Sequence, residues 1–298
     1  MNPVSGERVP ASAGSTEIVD GQAAPREIIR RFRPGQRIIE AFLVFAGVWI
    51  VWTLATNSFF KWNVVWRYLF DDLILRGLQL TLLLTAVCMV LGCVIGLVLA
   101  MMQLSRSRII RGAASGYVWF FRATPVLVQL IFWFNLAALF PSIGIGIPFG
   151  GPKWVEVNAN ILVTPFFAAV IGLGLHEGAY MTEIIRGGLR SVDQGQSDAA
   201  TSLGFGRIRM LWRIILPQAM SSIIPTTGNQ VISMLKYTSL ASVVALQELL
   251  SSAQTIYSRT FEIIPLLLVA AIWYLILTSI LSVIQQRIER YYARGDVR

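Results

Sequence analysis

The strongest constraint on this sequence is a series of long apolar runs that carry almost no charge. The run from Leu78 to Leu104 contains no charged residue, and about 20 mostly apolar residues are enough to span the hydrocarbon core of a bilayer. Charged residues make up 14% of the 298 residues, whereas soluble domains carry roughly 25%. Because so little polar surface is available, we predict an all-α polytopic membrane protein.

The apolar runs predict six transmembrane helices. We expect the spans at residues 38–56, 78–104, 125–140, 161–183, 219–246 and 263–285. The third is short, and the fifth is interrupted by Pro225, Gly228 and Lys236. A long basic stretch precedes the first run, which favours a true span over a cleaved signal peptide.

The basic residues predict the orientation, because cytoplasmic loops of membrane proteins are enriched in Lys and Arg. The net charge of +9 comes from 22 Arg and three Lys, balanced by 16 acidic residues. With both termini in the cytoplasm, the external segments receive only Lys61, Arg67, Arg76, Lys153 and Arg259. The basic excess therefore indicates cytoplasmic loops of a membrane protein and gives no reason to expect a nucleic-acid partner.

The cytoplasmic segment between the fourth and fifth spans contains the most specific pattern. Asp198, Ala199 and Ala200 are predicted to open a short helix, where a carboxylate is favourable near the helix N-terminus. Gly204 is predicted to end that helix with a left-handed backbone. An amphipathic turn over residues 207–215 follows, and Pro217 suits the first turn of the next span.

This segment resembles the coupling loop of permease subunits of bacterial ABC importers. The family pattern is Glu-Ala-Ala, three residues, Gly, nine residues, Ile, one residue and Leu-Pro. The corresponding residues, with every spacing kept and Asp in place of Glu, are Asp198, Ala199, Ala200, Gly204, Ile214, Leu216 and Pro217. The resemblance implies that these residues transmit the motion of an ATPase to the spans.

Other segments are similar to the polar-amino-acid branch of that family. They are 121–125 (Phe-Arg-Ala-Thr-Pro), 183–188 (Glu-Ile-Ile-Arg-Gly-Gly), 228–230 (Gly-Asn-Gln) and 238–240 (Thr-Ser-Leu). The resemblance implies a permease subunit that imports a polar amino acid, or a derivative such as an opine, across the bacterial inner membrane. It also implies two cytoplasmic ATPase subunits, a second permease subunit of the same or a homologous chain, and a periplasmic or lipid-anchored solute-binding protein.

Composition and apolar runs before Gly77, and the resemblance after it, predict a domain organisation. We expect a mobile basic cytoplasmic tail (1–37), an extra N-terminal transmembrane helix (38–56), a periplasmic interfacial segment (57–76), a five-helix importer domain (77–291) with its coupling loop (191–217), and a cytoplasmic tail (292–298). The quoted motifs all lie between Gly77 and Tyr291. Membrane lipids surround the spans.

The chain lacks the residues for ATP chemistry. A phosphate-binding loop needs a Gly-Lys pair, and the three lysines follow Phe60, Pro152 and Leu235. ATP and Mg²⁺ are therefore expected on the partner ATPase, and no cofactor is expected here. A single His and two Cys in one apolar run argue against a metal centre.

Polar residues inside the spans are candidates for the solute path, because ionisable groups are costly in lipid. His176, Tyr180 and Glu183 recur on one face of the fourth span. A similar polar stripe on the fifth span consists of Thr226, Asn229, Ser233 and Lys236. Glu177 and Lys236 would supply a negative and a positive group for a zwitterion. The predicted solute path is His176, Glu177, Tyr180, Asn229, Ser233 and Lys236.

Structural roles compete with these assignments. Polar residues also hold membrane helices together, and Lys236 is as well placed to satisfy carbonyls freed near Pro225 and Gly228. Two other functions also compete with an importer. A proton-coupled secondary transporter or channel would use His176 and Glu177 as a relay, and a passive membrane anchor would need neither polar stripe.

The orientation predicts which introduced cysteines are accessible from outside the cell. Cysteine at Ser142 should react with a membrane-impermeant thiol reagent in intact cells, whereas cysteine at Ser197 should react only after permeabilisation. The unmodified chain, with Cys88 and Cys93, gives the background signal. The reverse labelling pattern would overturn the six-span arrangement.

Overall fold

The computed structural model describes residues 34–146 and 153–293. The predicted N-terminal tail therefore lies outside the described residues, except for its last four positions. Those positions belong to helix α1, Pro34–Thr56, which is a separate compact unit. The helix begins before the predicted first span, and its large apolar side chains from Ile39 to Leu54 are exposed.

The second unit begins with a short helical segment and then the first long helix. A 3₁₀ turn over Ser58–Phe60 leads into α2, Trp62–Tyr68, and then into α3, Asp72–Gln103. The Asp71 carboxylate accepts a hydrogen bond from the Leu73 backbone N–H at 2.9 Å, which caps α3 and starts it earlier than the predicted span.

The predicted third span coincides with two short helices, and the structure places a sharp bend directly before it. Helix α4, Arg108–Ala123, lies where a loop was expected, and α5, Val126–Phe134, follows at an angle of 100°. The proline disfavours a helical conformation for the residue before it, and Thr124 is accordingly extended before Pro125. A further turn, α6, covers Leu136–Leu139.

The prediction of an all-α chain is wrong in one place. Strands β1, Ser142–Gly146, and β2, Lys153–Asn158, form an antiparallel hairpin with Gly144 opposite Glu156. Branched residues alternate along both strands, a pattern that favours an extended backbone.

The remaining helices include one that was not predicted. A short turn, α7 (Ala159–Leu162), precedes α8 (Pro165–Ser191), α9 (Gln194–Ser202), α10 (Arg207–Met210) and a π-helical turn (Leu211–Ile215); then follow α11 (Leu216–Tyr237), a 3₁₀ segment (Thr238–Val244), α12 (Leu249–Thr260) and α13 (Ile263–Ala293). Helix α11 ends before the predicted fifth span does, and α12 lies where a loop was expected. The predicted C-terminal tail starts inside α13.

Length and apolar composition identify three candidate membrane spans among the described residues, namely α1, α3 and α13. The bent pair of α4 and α5 is a fourth candidate if it is one broken span. Helices α8 and α11 fall outside this group because polar and charged residues interrupt them. The chain is thus a mostly helical, multi-pass membrane protein.

The core of the second unit is the packing of α3 against α8 through glycines. A Cβ at Gly96 would lie 2.5 Å from the Met181 Cβ, and one at Gly178 would lie 2.5 Å from the Ile95 Cγ2. The side chain of Glu177 occupies the space beside Gly92 in the same way. Small residues let helix backbones approach closely in membranes, and here they do so on both helices.

A buried carboxylate joins α12 to α13. Glu248 is fully buried and accepts hydrogen bonds from the backbone N–H groups of Leu250 at 2.8 Å and Ser251 at 2.7 Å. The Tyr274 hydroxyl of α13 donates a third bond at 3.1 Å. This cap satisfies backbone donors that the start of a helix leaves free.

The glycine packing predicts that one added methyl group destabilises the fold. Gly96→Ala forces backbone or Cβ atoms of α8 to move. Such overpacking typically lowers the free energy of unfolding by about 1–3 kcal/mol, so the variant should melt at a lower temperature than the unmodified chain. The measurement is the melting temperature of the purified chain in detergent.

Gly116→Ala is the matched control, because Gly116 also lies within a helix but has nothing within 4 Å of the added Cβ. Alanine is the better helix former by about 1 kcal/mol, so this variant should melt no lower than the unmodified chain. Equal melting temperatures for the two variants would contradict the packing argument.

Candidate functional site

The loop between α8 and α11 begins with a capped helix whose start differs from the prediction. The Asp193 carboxylate accepts a hydrogen bond from the Gly195 backbone N–H at 2.7 Å and caps α9. Asp198 therefore lies inside α9 and does not open it, because Asp193 takes the capping position first. Asp198 and Ala199 are exposed and Ala200 is buried.

The end of α9 is as predicted. Gly204 has φ +77°, and its backbone N–H donates to the Thr201 carbonyl at 3.0 Å. The Phe205 N–H donates to the Ala200 carbonyl, also at 3.0 Å. This pair of bonds is the Schellman motif, which needs a left-handed residue just after the helix. The predicted left-handed conformation of Gly204 is confirmed.

The second half of the loop returns the chain to α11. Pro217 lies in the first turn of α11, as predicted, after the π-helical turn that contains Ile214. The Gln218 amide donates to the Gln196 side chain at 3.3 Å and to the Ile214 carbonyl at 3.0 Å. The bond to Gln196 ties the base of α11 to α9, so the two ends of the loop are held together.

Three large apolar side chains project from this loop, and sequence reasoning missed them. Leu203, Ile208 and Trp212 are 76%, 77% and 55% exposed. The sequence did contain a signal for them, because they are apolar residues within a polar, basic segment. An exposed apolar cluster on an otherwise polar loop is typical of a protein contact surface.

The structure gives contact partners to the residues predicted on the polar face of α8. The His176 and Tyr180 rings lie 5.0 Å apart, and His176 Nδ1 lies 3.2 Å from the Phe121 carbonyl. The Arg122 guanidinium lies 5.4 Å from the Tyr180 ring and 3.7 Å from the Glu183 carboxylate. Glu183 also pairs with Arg186. Aromatic and charged groups thus form one connected cluster.

Glu177 lies in a different environment from its neighbour His176. Its carboxylate is fully buried and accepts a hydrogen bond from the Gln230 amide of α11 at 3.1 Å. The other oxygen has no hydrogen-bond partner among the described residues. No hydrogen bond links His176 to Glu177 within those residues, so the proton relay of the competing transporter function receives no support from this geometry.

The predicted stripe on α11 lies on its outer face. Asn229 and Lys236 are exposed and Ser233 is half-buried. Lys236 has no ion-pair partner among the described residues, and the structure does not bring it together with the buried Glu177. The two groups expected to hold opposite ends of a solute therefore do not line one cavity within this single subunit.

A donor that the sequence did not reveal satisfies the backbone near Pro225. The Gln285 amide of α13 donates to the Pro225 carbonyl and to the Glu289 carboxylate. Gln285 fits against Gly228, where any side chain would collide with it. Helix α11 continues unbroken through Pro225, and the side-chain donor to the Pro225 carbonyl is Gln285 of α13, not Lys236.

The chain matches one known protein family and is similar to named transport proteins. Residues 92–294 match the family described as "Binding-protein-dependent transport system inner membrane component". The chain is 40% identical over 279 residues to the arginine transport system permease protein ArgU of Corynebacterium glutamicum, a match that covers 93% of this chain and 86% of that protein. Such coverage includes α1 and much of the sequence before Gly77, which the quoted motifs do not reach.

A second relative and one solved structure are also similar to most of this chain. The nopaline transport system permease protein NocM of Agrobacterium fabrum is 34% identical over 211 residues, covering 70% of this chain and 83% of that protein. A solved amino acid ABC transporter, determined with histidines, superposes with a TM-score of 0.63 at 34% identity and covers 74% of this chain and 95% of that chain.

The left-handed conformation of Gly204 predicts a steep response to substitution. A β-branched side chain there costs roughly 1–2 kcal/mol, so Gly204→Val should displace α9 and lower solute uptake by about tenfold. Uptake by the Gly204→Ala variant should lie between that of Gly204→Val and that of the unmodified chain. Uptake is measured in cells together with the amount of protein in the membrane.

Gly206→Val is the matched control, since Gly206 lies in the same loop with an ordinary φ of −67° and open space around it. It should transport like the unmodified chain. Normal uptake by Gly204→Val would show that the loop does not act as a coupling element.

Proposed function

Because this chain belongs to the family of binding-protein-dependent transport system inner membrane components, we propose that it forms the solute path for a polar amino acid in a bacterial inner membrane. It is the permease subunit of an ATP-driven amino-acid importer, and the ATPase is a separate subunit. The observation that carries the proposal is the loop with Gly204 at φ +77° and the coupling-loop spacing from Asp198 to Pro217.

The proposed solute is a polar amino acid with arginine as the first candidate. The relative with 40% identity is named for arginine transport, and the relative named for nopaline extends the chemistry to an opine. A solute with a carboxylate, an ammonium and a long polar side chain needs donors, acceptors and an aromatic surface. Lys236, Asn229 and the cluster around Tyr180 offer these groups.

The proposed topology has six crossings with both termini in the cytoplasm. The crossings are made by α1, α3, the bent α4–α5 pair, α8, α11 and α13. The distribution of Lys and Arg supports this orientation, and it places the β1–β2 hairpin outside and α9 inside. The importer domain covers residues 77–291, preceded by the extra helix and the interfacial segment 57–76.

The proposed assembly contains a second permease subunit, two cytoplasmic ATPase subunits that hold ATP and Mg²⁺, and an external solute-binding protein. The outer polar face of α11, with Asn229, Ser233 and Lys236, would line the path between the two permeases. Pairing of that face with a second chain explains why these polar groups are exposed in a single subunit. His176 and Tyr180 would contribute from α8, and Glu177 would hold α8 to α11 beside the path.

The proposed mechanism couples two conformational states through the loop. When the ATPases close on ATP, the surface formed by Leu203, Ile208 and Trp212 moves with them. The Gln218 bonds to Gln196 and Ile214 pass that movement to the base of α11, which opens the path outward. Hydrolysis restores the inward-facing state. ATP biases this equilibrium only because the loop makes different contacts in the two states.

Reconstitution tests the proposal. In proteoliposomes with the ATPase and the solute-binding protein, arginine should stimulate ATP hydrolysis and should accumulate. The purified chain alone should not hydrolyse ATP, since it lacks a Gly-Lys phosphate loop. Asn229→Ala and Lys236→Gln should raise the KM for solute by about tenfold, the effect of losing a hydrogen bond to a charged group.

Arg259→Gln is the matched control, because Arg259 is an exposed cation on α12, on the proposed external side, and is not part of the α11 stripe. It should leave both KM and stimulation unchanged. ATP hydrolysis by this chain alone, or uptake independent of the ATPase, would refute the proposal. An unchanged KM in both stripe variants would remove α11 from the solute path and leave the importer function standing.

A further inference from the structure

A basic cavity lies outside the polar stripe of α11, and its lining contains none of the exposed apolar residues of the coupling loop. It has a volume of about 280 Å³ and opens between the end of α3, the first half of α4 and the last turns of α8. Its polar lining consists of Gln103, Arg111, Ser115, Arg186 and Arg190. Three guanidinium groups therefore line one small space.

The positive charge of this cavity is only partly neutralised. Arg186 pairs with Glu183, which also lies 3.7 Å from Arg122. No carboxylate within residues 34–146 and 153–293 pairs with Arg111 or Arg190, and the Arg186 Nε is buried without a hydrogen-bond partner there. An anion placed among guanidinium groups that line one cavity offsets their mutual repulsion, so the cavity is suited to an anion.

The helix dipole of α4 adds to the positive potential. Helix N-termini carry a partial positive charge and favour anions. Yet α4 begins with Arg108, carries Arg111 one turn later and has no acidic residue in its first turn. Arginines at this end are unfavourable for the isolated helix. An anion held between Arg111 and the end of α8 would offset both the positive end of the helix dipole and the charge of the arginines in the first turn.

An apolar surface continues from the cavity along α4. Arg111, Ser115 and Trp119 recur every four residues and share one face of the helix. Trp119 is 72% exposed, and Leu104 lines the cavity and is itself exposed. The surface thus changes from basic to apolar within about two turns of helix, which matches a headgroup followed by an acyl chain.

We propose that this cavity binds the phosphate of an anionic phospholipid from the inner leaflet, with one acyl chain lying along Trp119. The planar guanidinium groups of Arg111 and Arg190 donate paired hydrogen bonds to phosphate oxygens. The orientation proposed above places the cavity at the cytoplasmic membrane surface, where anionic lipids gather around basic pockets between helices. Ser115 and Gln103 provide further donors.

Native mass spectrometry of the assembled transporter tests the site. The complex is purified in neutral detergent and titrated with phosphatidylglycerol or phosphatidylcholine. The unmodified complex should retain phosphatidylglycerol in preference to phosphatidylcholine. Arg111→Gln with Arg190→Gln should weaken that retention by at least tenfold, because each arginine contributes charge-assisted bonds. The single variant Arg190→Gln serves if the double variant does not assemble.

Arg287→Gln with Arg290→Gln is the matched control, since these exposed arginines lie near the end of α13 on the same proposed side and do not line the cavity. It should retain phosphatidylglycerol like the unmodified complex. Trp119→Ser should weaken binding of the long-chain lipid but not of soluble glycerol phosphate. That difference separates the acyl-chain contact from the headgroup contact.

Three outcomes would overturn the proposal. Equal retention by the cavity variants and the control would remove the arginines from the site. Displacement by inorganic phosphate as effectively as by phosphatidylglycerol would assign the cavity to a free anion. Retention by the isolated chain but not by the complex would mean that the partner ATPase covers the cavity. Because the readout is bound lipid, these results do not depend on whether transport is measured.

Discussion

The close approach of α3 and α8 is the interaction on which the rest of the described structure depends. Glycines on both helices remove the side chains that would separate them, and each gap is filled from the opposite helix, as when Met181 packs over Gly96. Lipid offers no hydrophobic force between helices, so van der Waals contact at this distance is a main source of stability. The positions of α4, α5 and α11 follow from it, since all three pack against α8.

That packing also determines which polar groups are buried. Glu177 projects into the gap at Gly92 and meets Gln230, which fixes the rotation of α11 beside α8. With Gln230 turned inward, Asn229 and Lys236 are turned outward. The outward polar face is stable in lipid only if another surface covers it, and we propose a second permease subunit as that surface. On this proposal the solute path would form only in the assembly.

The loop and the basic cavity lie at the same end of the second unit but present different surfaces. The loop presents Leu203, Ile208 and Trp212 as an exposed apolar surface. The cavity presents arginines that lack acidic partners among the described residues. Apolar surface suits a protein groove, and unpaired guanidinium groups beside exposed Trp119 suit a phosphate with an acyl chain. Both surfaces flank the last turns of α8, which join them.

The sequence by itself determined the membrane class, the family resemblance and the conformation of Gly204, because apolar run length, motif spacing and glycine placement are local properties. It did not determine the bend at Thr124, the hairpin or the capping position of α9, because each lies in a short segment whose local preferences allow more than one conformation. Only the tertiary structure decided that His176 and Glu177 have separate partners, that Gln285 satisfies Pro225, and that Arg111 lies near Arg190. These pairings join residues far apart in the chain, and helix packing alone brings them together.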